Sequence, residues 1–183
     1  MGTQYKKLNN EISKFIEKQK IFFVATATEN SFINLSPKGM DSLRILDENR
    51  VAWINSTGST NESSAHIQQD KRMTLMFCSF DETPLIIKIF AEAKVIHKKD
   101  KEWNELINKF PNIVGARQIY DLEIKLVLKV CGMSVPYFEY KGEREDLTNY
   151  WIEQGEDGLQ EYWKKKNQIS LNGYNTNIVE KNI

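Results

Sequence analysis

Residues 34–80 read NLSPKGMDSLRILDENRVAWINSTGSTNESSAHIQQDKRMTLMFCSF, and their punctuation decides the fold. Pro37-Lys38-Gly39 separates two extended segments. On the second, Leu43 and Ile45 are apolar and Arg44 falls between them, on the opposite face. Asp47-Glu48-Asn49-Arg50 is a turn too short for a helical crossover, so the strands it joins, 42–46 and 51–55, are antiparallel. The second strand runs into Thr57-Gly58-Ser59-Thr60-Asn61-Glu62, which opens a helix over 59–70. Ser59 and Glu62 have the spacing of a capping box. The bland reading is a helix cap and nothing more. The functional reading is a phosphate seat, because basic side chains on the strands lie near a helix start whose free N–H groups and dipole favour an anion. Residues 72–80, RMTLMFCSF, then form an almost continuously apolar strand of a barrel or sheet interior.

Outward from this stretch, residues 5–18 predict an amphipathic helix with Leu8, Ile12, Phe15 and Ile16 on one face. Residues 21–28 and 32–36 form a hairpin about Glu29-Asn30-Ser31. After the turn at 81–84 comes a long strand, 85–97, bulged or bent, and then a helix over 101–110 that ends at Pro111 and Gly115. Strand 122–130 places Leu122, Ile124, Leu126 and Leu128 on one face, with Val127 the exception on the polar one. Residues 131–136 interrupt it and 137–140 resume it. Helices follow over 144–154 and 158–166, and the last ten or so residues, rich in Asn, are expected to fray. The fold class is therefore mainly β with accessory helices (α+β), an antiparallel barrel of six or seven strands. A doubly wound parallel sheet would need a helix after nearly every strand.

The 183 residues are read as a single domain over 1–183, with a barrel core at 20–140 and a helical extension at 141–173. With 25 basic and 25 acidic residues the chain has no overall field to hold nucleic acid or an anionic membrane. No apolar run approaches the ~18 residues of a membrane span. The stretch MGTQYKKLNNEISK lacks the apolar core of a secretory signal, which points to the cytoplasm. Cys78 and Cys131 both lie in strand-like apolar contexts. A disulfide between them is one reading, and buried free thiols are the other and the ordinary case in the cytoplasm. Two histidines far apart and no Cys-x-x-Cys give no support for a zinc site.

Taken together, FFVAT, NLSPKG, the basic strand, the TGS-x-NE turn with Ala65-His66 behind it, and RMTLMFCSF resemble the pyridoxamine 5′-phosphate oxidase-related family of FMN-binding split barrels. CGMSVPYFEYKGERE with the following W-x-x-x-G and Lys166-Asn167 is similar to one subgroup of it, so the match runs from about residue 20 to 173. The resemblance implies a six-stranded antiparallel split barrel that forms a homodimer, with one FMN in each of two clefts between subunits. It also implies a flavin-mediated electron or hydride transfer to a small-molecule substrate. It maps the flavin-contacting run onto Lys38 or Gly39 through Ser42 to Arg44, with Arg44 the best-matched phosphate cation. A tyrosine-threonine pair of the oxidases falls near Trp53 and Ile54.

An Arg-Lys pair that grips the phosphate in the oxidases is replaced here by Asn61-Glu62-Ser63-Ser64. The helix start then offers backbone N–H groups and the hydroxyls of Thr57, Ser59 and Ser63, and Glu62 must turn away. Positive charge is left to Lys38, Arg44 or Arg72. The plain alternatives are an exposed turn lysine, a solvated strand face and a carboxylate-paired arginine, respectively. The oxidases hold their substrate's phosphate with a C-terminal arginine and histidine. This chain has no arginine after Arg144 and no histidine after His97, which argues against pyridoxamine phosphate as substrate. No acid–base dyad or nucleophilic triad stands out, and the catalytic residues stay unassigned. Residues 132–136 border the cleft or form a strand bulge. A flavin binder without turnover, or a barrel that takes haem or a deazaflavin, are the other functions open at this level.

Overall fold

The computed structural model describes residues 2–183. Eight antiparallel strands form one sheet: β1 (Thr3–Tyr5), β2 (Phe22–Thr26), β3 (Asn34–Lys38), β4 (Leu43–Asp47), β5 (Arg50–Ser56), β6 (Arg72–Cys78), β7 (Leu85–Ile96) and β8 (Ala116–Cys131). Their order is β3-β2-β6-β7-β8-β5-β4, with β1 paired to β8. The two outermost strands of that order, β3 and β4, are consecutive in sequence and joined by only Gly39, Met40, Asp41 and Ser42. A link of four residues spans little more than ~14 Å, so the sheet has to curl until its edges face each other. They are not paired to each other, and the barrel is split there.

The one strand beyond the seven read from the sequence is β1, which finds a place because β8 is long. Strand β8 pairs with β7 along nearly its whole length, and its other edge is shared by β5 (Arg50↔Glu123 to Ser56↔Ala116) and β1 (Thr3↔Lys129 to Tyr5↔Val127). The helix expected over 5–18 is accordingly shorter. Residues 3–5 join the sheet, and α1 (Asn10–Lys18) starts after Asn9, whose side chain accepts from Ile12 N at 2.9 Å. The bulge expected in β7 lies instead in its partner β8: the register shifts between Phe90, which faces Leu126, and Ala91, which faces Ile124. Lys125 is the extra residue, and beyond it the alternation changes phase. That shift is why Val127 is fully buried while Leu126 and Leu128 are only partly so.

Strand β5 is buried on both faces. Val51 and Trp53 join the barrel interior with Phe22, Val24, Met73, Leu75, Phe77, Tyr120 and Leu122, and α1 closes that core with Ile12 and Ile16. Ala52 and Ile54 face the other way, onto Ile96, Phe110, Ile113 and Ile119 beneath α3 (Trp103–Ile107).

Between β5 and β6, α2 (Glu62–Gln69) begins three residues later than the spacing suggested. Its N-cap is Asn61, without a side-chain cap, so there is no capping box. Residues 137–140 form no strand. The two helices expected near the C-terminus are both present within α4 (Asp146–Tyr162), which breaks between them at Gly155, where φ 65° and ψ −176° are non-helical, and α4 passes directly into a π-helical turn, Trp163–Asn167. The end of the chain is built in rather than frayed: α5 (Ile178–Asn182) buries Ile178 against Trp151, Leu159 and Trp163.

Candidate functional site

The gap between the sheet edges opens into a cavity of about 270 Å³. It is bordered by the β3–β4 turn, the end of β5, the loop 58–60, Ile113, Arg117 and Leu147. Of the residues expected at the site, Lys38, Gly39, Ser42, Ile54 and Ser59 line it. Ser42 Oγ donates to Gly39 O (2.6 Å) and Ile54 N donates to Ser42 O (2.9 Å), so the turn is tied to β5. Met40 and Asp41 within it both have positive φ, 62° and 50°. Met40 also borders the cavity.

Two cations meet here. Lys38 Nζ lies 5.4 Å from the centroid of the Trp53 ring, and burial first, then the charge of Arg117, lower its pKa to about 8. Arg117, a residue the sequence reading did not single out, is buried near the start of β8. Its Nη1 donates to Asn167 Oδ1 (2.8 Å) and Gly58 O (3.3 Å), and its Nη2 to Thr60 O (2.7 Å). With the Asn55 amide oriented to match, Asn55 Oδ1 accepts from Nη2 (3.1 Å) and Nε (3.2 Å). Burial lowers the Arg117 pKa to about 10, which still leaves it charged at neutral pH. Among the described residues neither Arg117 nor Lys38 is paired with a carboxylate.

The remaining expected residues are placed elsewhere. Arg44 is held at Asp41 by a two-pronged contact (2.8 and 2.9 Å) and donates to Lys109 O (2.7 Å). It borders a neighbouring cavity with Gly39, Ser42, Phe77 and Glu143. Arg72 is exposed and paired with Asp70. Trp53 is in the barrel core, stacked on Tyr120 at 4.4 Å. Thr57 is an anchor: its hydroxyl donates to Gly115 O (2.7 Å) and accepts from Trp163 Nε1 (2.8 Å), while its carbonyl accepts from Trp151 Nε1 (2.9 Å). Ser63 Oγ accepts from Asn34 Nδ2 (3.0 Å) and lies 3.3 Å from Thr26 Oγ1, which fastens α2 to the barrel. Asn61 Nδ2 reaches Asn167 O at 3.4 Å. The Glu62 carboxylate accepts from Leu171 N (3.1 Å). Cys78 is buried, but Cys131 is exposed, and both are free thiols.

A curled antiparallel barrel split between consecutive strands, with a cationic cavity at the split, defines a class, and comparison with known proteins identifies it. The chain belongs to the pyridoxamine 5′-phosphate oxidase family: the sequence profile of that family, described as pyridoxamine 5′-phosphate oxidase, matches residues 8–131. The chain is 33% identical over 189 residues to the pyridoxamine 5′-phosphate oxidase family protein ustO of Aspergillus flavus, a match covering 92% of this chain and 75% of that protein. Among solved structures, a candidate pyridoxamine 5′-phosphate oxidase of Lactobacillus delbrueckii superposes with a TM-score of 0.57 at 20% identity, covering 69% of this chain and 97% of the other. HupZ of Group A Streptococcus gives 0.54 at 14%, covering 72% and 99%. These two share the fold. Among the described residues, no helix is long and apolar enough to cross a membrane.

Proposed function

We propose that the protein is an FMN-dependent oxidoreductase that acts as a homodimer on a small molecule. The observation that carries this reading is the pair Lys38 and Arg117 at one cavity, both short of a negative partner, beside the loop that leads into α2. Two charges held near each other and out of water favour an incoming dianion such as a phosphate monoester. The residues fit FMN at that end: Lys38 and the 58–60 loop would hold the phosphate, and Arg117 would supply field while its N–H groups organise the loop. Bound flavin supplies hydride or electron transfer, and the protein binds, orients and shields it.

Cofactor pockets commonly span about 300–1,000 Å³, so a cavity of about 270 Å³ leaves a flavin protruding. A second copy would cover the remainder. Phe32, Ile33, Leu35, Tyr137 and Phe138, all large, apolar and exposed, are suited to that contact. Haem has less support, because His66 and His97 are buried away from the cavity. The exposed thiol of Cys131 suits a reducing compartment, and the proposal includes the cytoplasm.

The test is to purify the protein, release its bound small molecule and identify it, then add NADH or NADPH without oxygen. FMN that bleaches on reduction is the expected result. FMN that stays oxidised with both donors would make the protein a flavin binder without turnover, and haem or a deazaflavin would replace the reading.

A further inference from the structure

We propose that Asn167 is the positioning residue of this site: as a neutral amide it fixes Arg117 and the 57–61 loop and leaves the guanidinium charge free for a phosphate monoester. The inference rests on the FMN reading above and concerns a part of the chain outside the matched family region 8–131.

Asn167 is fully buried at the end of the π-helical turn, a distortion that recurs at functional sites. Every polar atom of its side chain is used on the site. Oδ1 accepts from Arg117 Nη1 at 2.8 Å, and Nδ2 donates to Gly58 O at 3.0 Å. Its own carbonyl accepts from Thr176 Oγ1 (2.6 Å) and Asn61 Nδ2 (3.4 Å), which pins the amide from behind. Trp163, four residues earlier, donates to the Thr57 hydroxyl, so one turn of chain holds both sides of the loop. Gly58 O and Thr60 O are drawn to Arg117, and a trans peptide sets the next N–H opposite each carbonyl. The N–H groups of Ser59 and Asn61 are fixed in this way, and neither has an acceptor among the described residues.

The choice of amide over acid carries the argument. A carboxylate of the same shape would make a stronger, charge-assisted bond to Arg117. It would also cancel the charge. All the acceptors around this guanidinium are neutral amide oxygens: Gly58 O, Thr60 O, Asn167 Oδ1 and Asn55 Oδ1. A buried arginine without a carboxylate is ordinarily unfavourable, and the arrangement makes sense where an anion arrives from outside.

The experiment titrates FMN and riboflavin against the parent, Asn167→Asp and Asn167→Ala, with a thermal melt of each. Asn167→Asp should lose about ten- to a hundredfold for FMN and less than about threefold for riboflavin, with Asn167→Ala losing less for FMN than the acid does. Should Asn167→Asp not fold, Trp163→Phe removes one indole donor to the loop and should cost FMN about threefold or more relative to riboflavin. Unchanged FMN binding, or equal loss for both ligands in a folded variant, would reduce Asn167 to a structural residue and overturn the proposal. A parent that binds FMN no better than riboflavin would instead overturn the phosphate reading, and this inference with it.

Discussion

Lys38 stands between two neighbours that act on it oppositely. The Trp53 ring attracts its ammonium, while burial and Arg117 disfavour the charge and lower the pKa to about 8. Between that value and the ordinary 10.5 the unfolded chain binds the extra proton. Stability from this group is thus present above 10.5 and lost as pH falls through 8. An arriving phosphate reverses the balance, since it favours the charged form. FMN affinity should therefore decline by about tenfold or more from about pH 7 to about pH 9.5, with riboflavin nearly flat, and Lys38→Met should remove the slope. Fluorescence titration across that range checks it. Arg44→Ala should weaken FMN by less than about threefold, because its guanidinium is already committed to Asp41. An effect as large as that of Lys38→Met would restore Arg44 as the principal phosphate cation.

At the scale of elements, the β3–β4 turn stores strain where it borders the cavity. A left-handed conformation costs an ordinary residue ~1–2 kcal/mol, and Met40 and Asp41 both adopt it. Met40→Gly relieves one position, and the added freedom of the unfolded chain offsets part of the gain. We expect a melting temperature unchanged or a few degrees higher, together with weaker FMN binding, because the methionine wall of the cavity is gone. A variant that melts lower would show that the core contacts of Met40 outweigh the strain.

This turn was legible from Pro37-Lys38-Gly39, as were the hairpins, whose punctuation is local. Arg117 was not, because clean alternation begins only at Leu122, and the preceding residues read as the end of a helix and its loop. What brings Arg117 to the 57–61 loop is the long-range register that sets Asn55 opposite Gln118 and Ser56 opposite Ala116. No spacing within one sequence encodes that register. Asn167 was legible only as part of the Lys166-Asn167 resemblance, and its role was not, because its partners come from β8 and from the loop after β5.

For the whole molecule, two outcomes follow. Light scattering at micromolar concentration should give a dimer, and charged substitutions at Ile33 and Leu35 together should shift it toward monomer with loss of flavin. A parent that is monomeric with flavin tightly bound would refute the shared cleft. Acid should also destabilise the fold at His97, which is buried beside Gln118, Asp100 and Lys181. Burial lowers its pKa to about 4. Its contribution is intact above 6.5 and lost as pH falls from 6.5 through 4, up to about 3 kcal/mol by that shift. Melting curves of the parent should fall across this window, and His97→Gln should flatten them.

The sharing of one edge of β8 by β5 and β1 also bears on how the chain reaches this state. Thr3 pairs with Lys129, so β1 has no template until almost the whole barrel has been made. On the ribosome, β1 emerges long before its partner strand and is among the last segments of the barrel to find its place. Pairings that distant in sequence fold slowly, in milliseconds to seconds for β-rich domains, and until β1 docks, the far half of the β8 edge is open. That interval is when another nascent chain could add a strand there, so aggregation during recombinant synthesis should fall when synthesis is slowed.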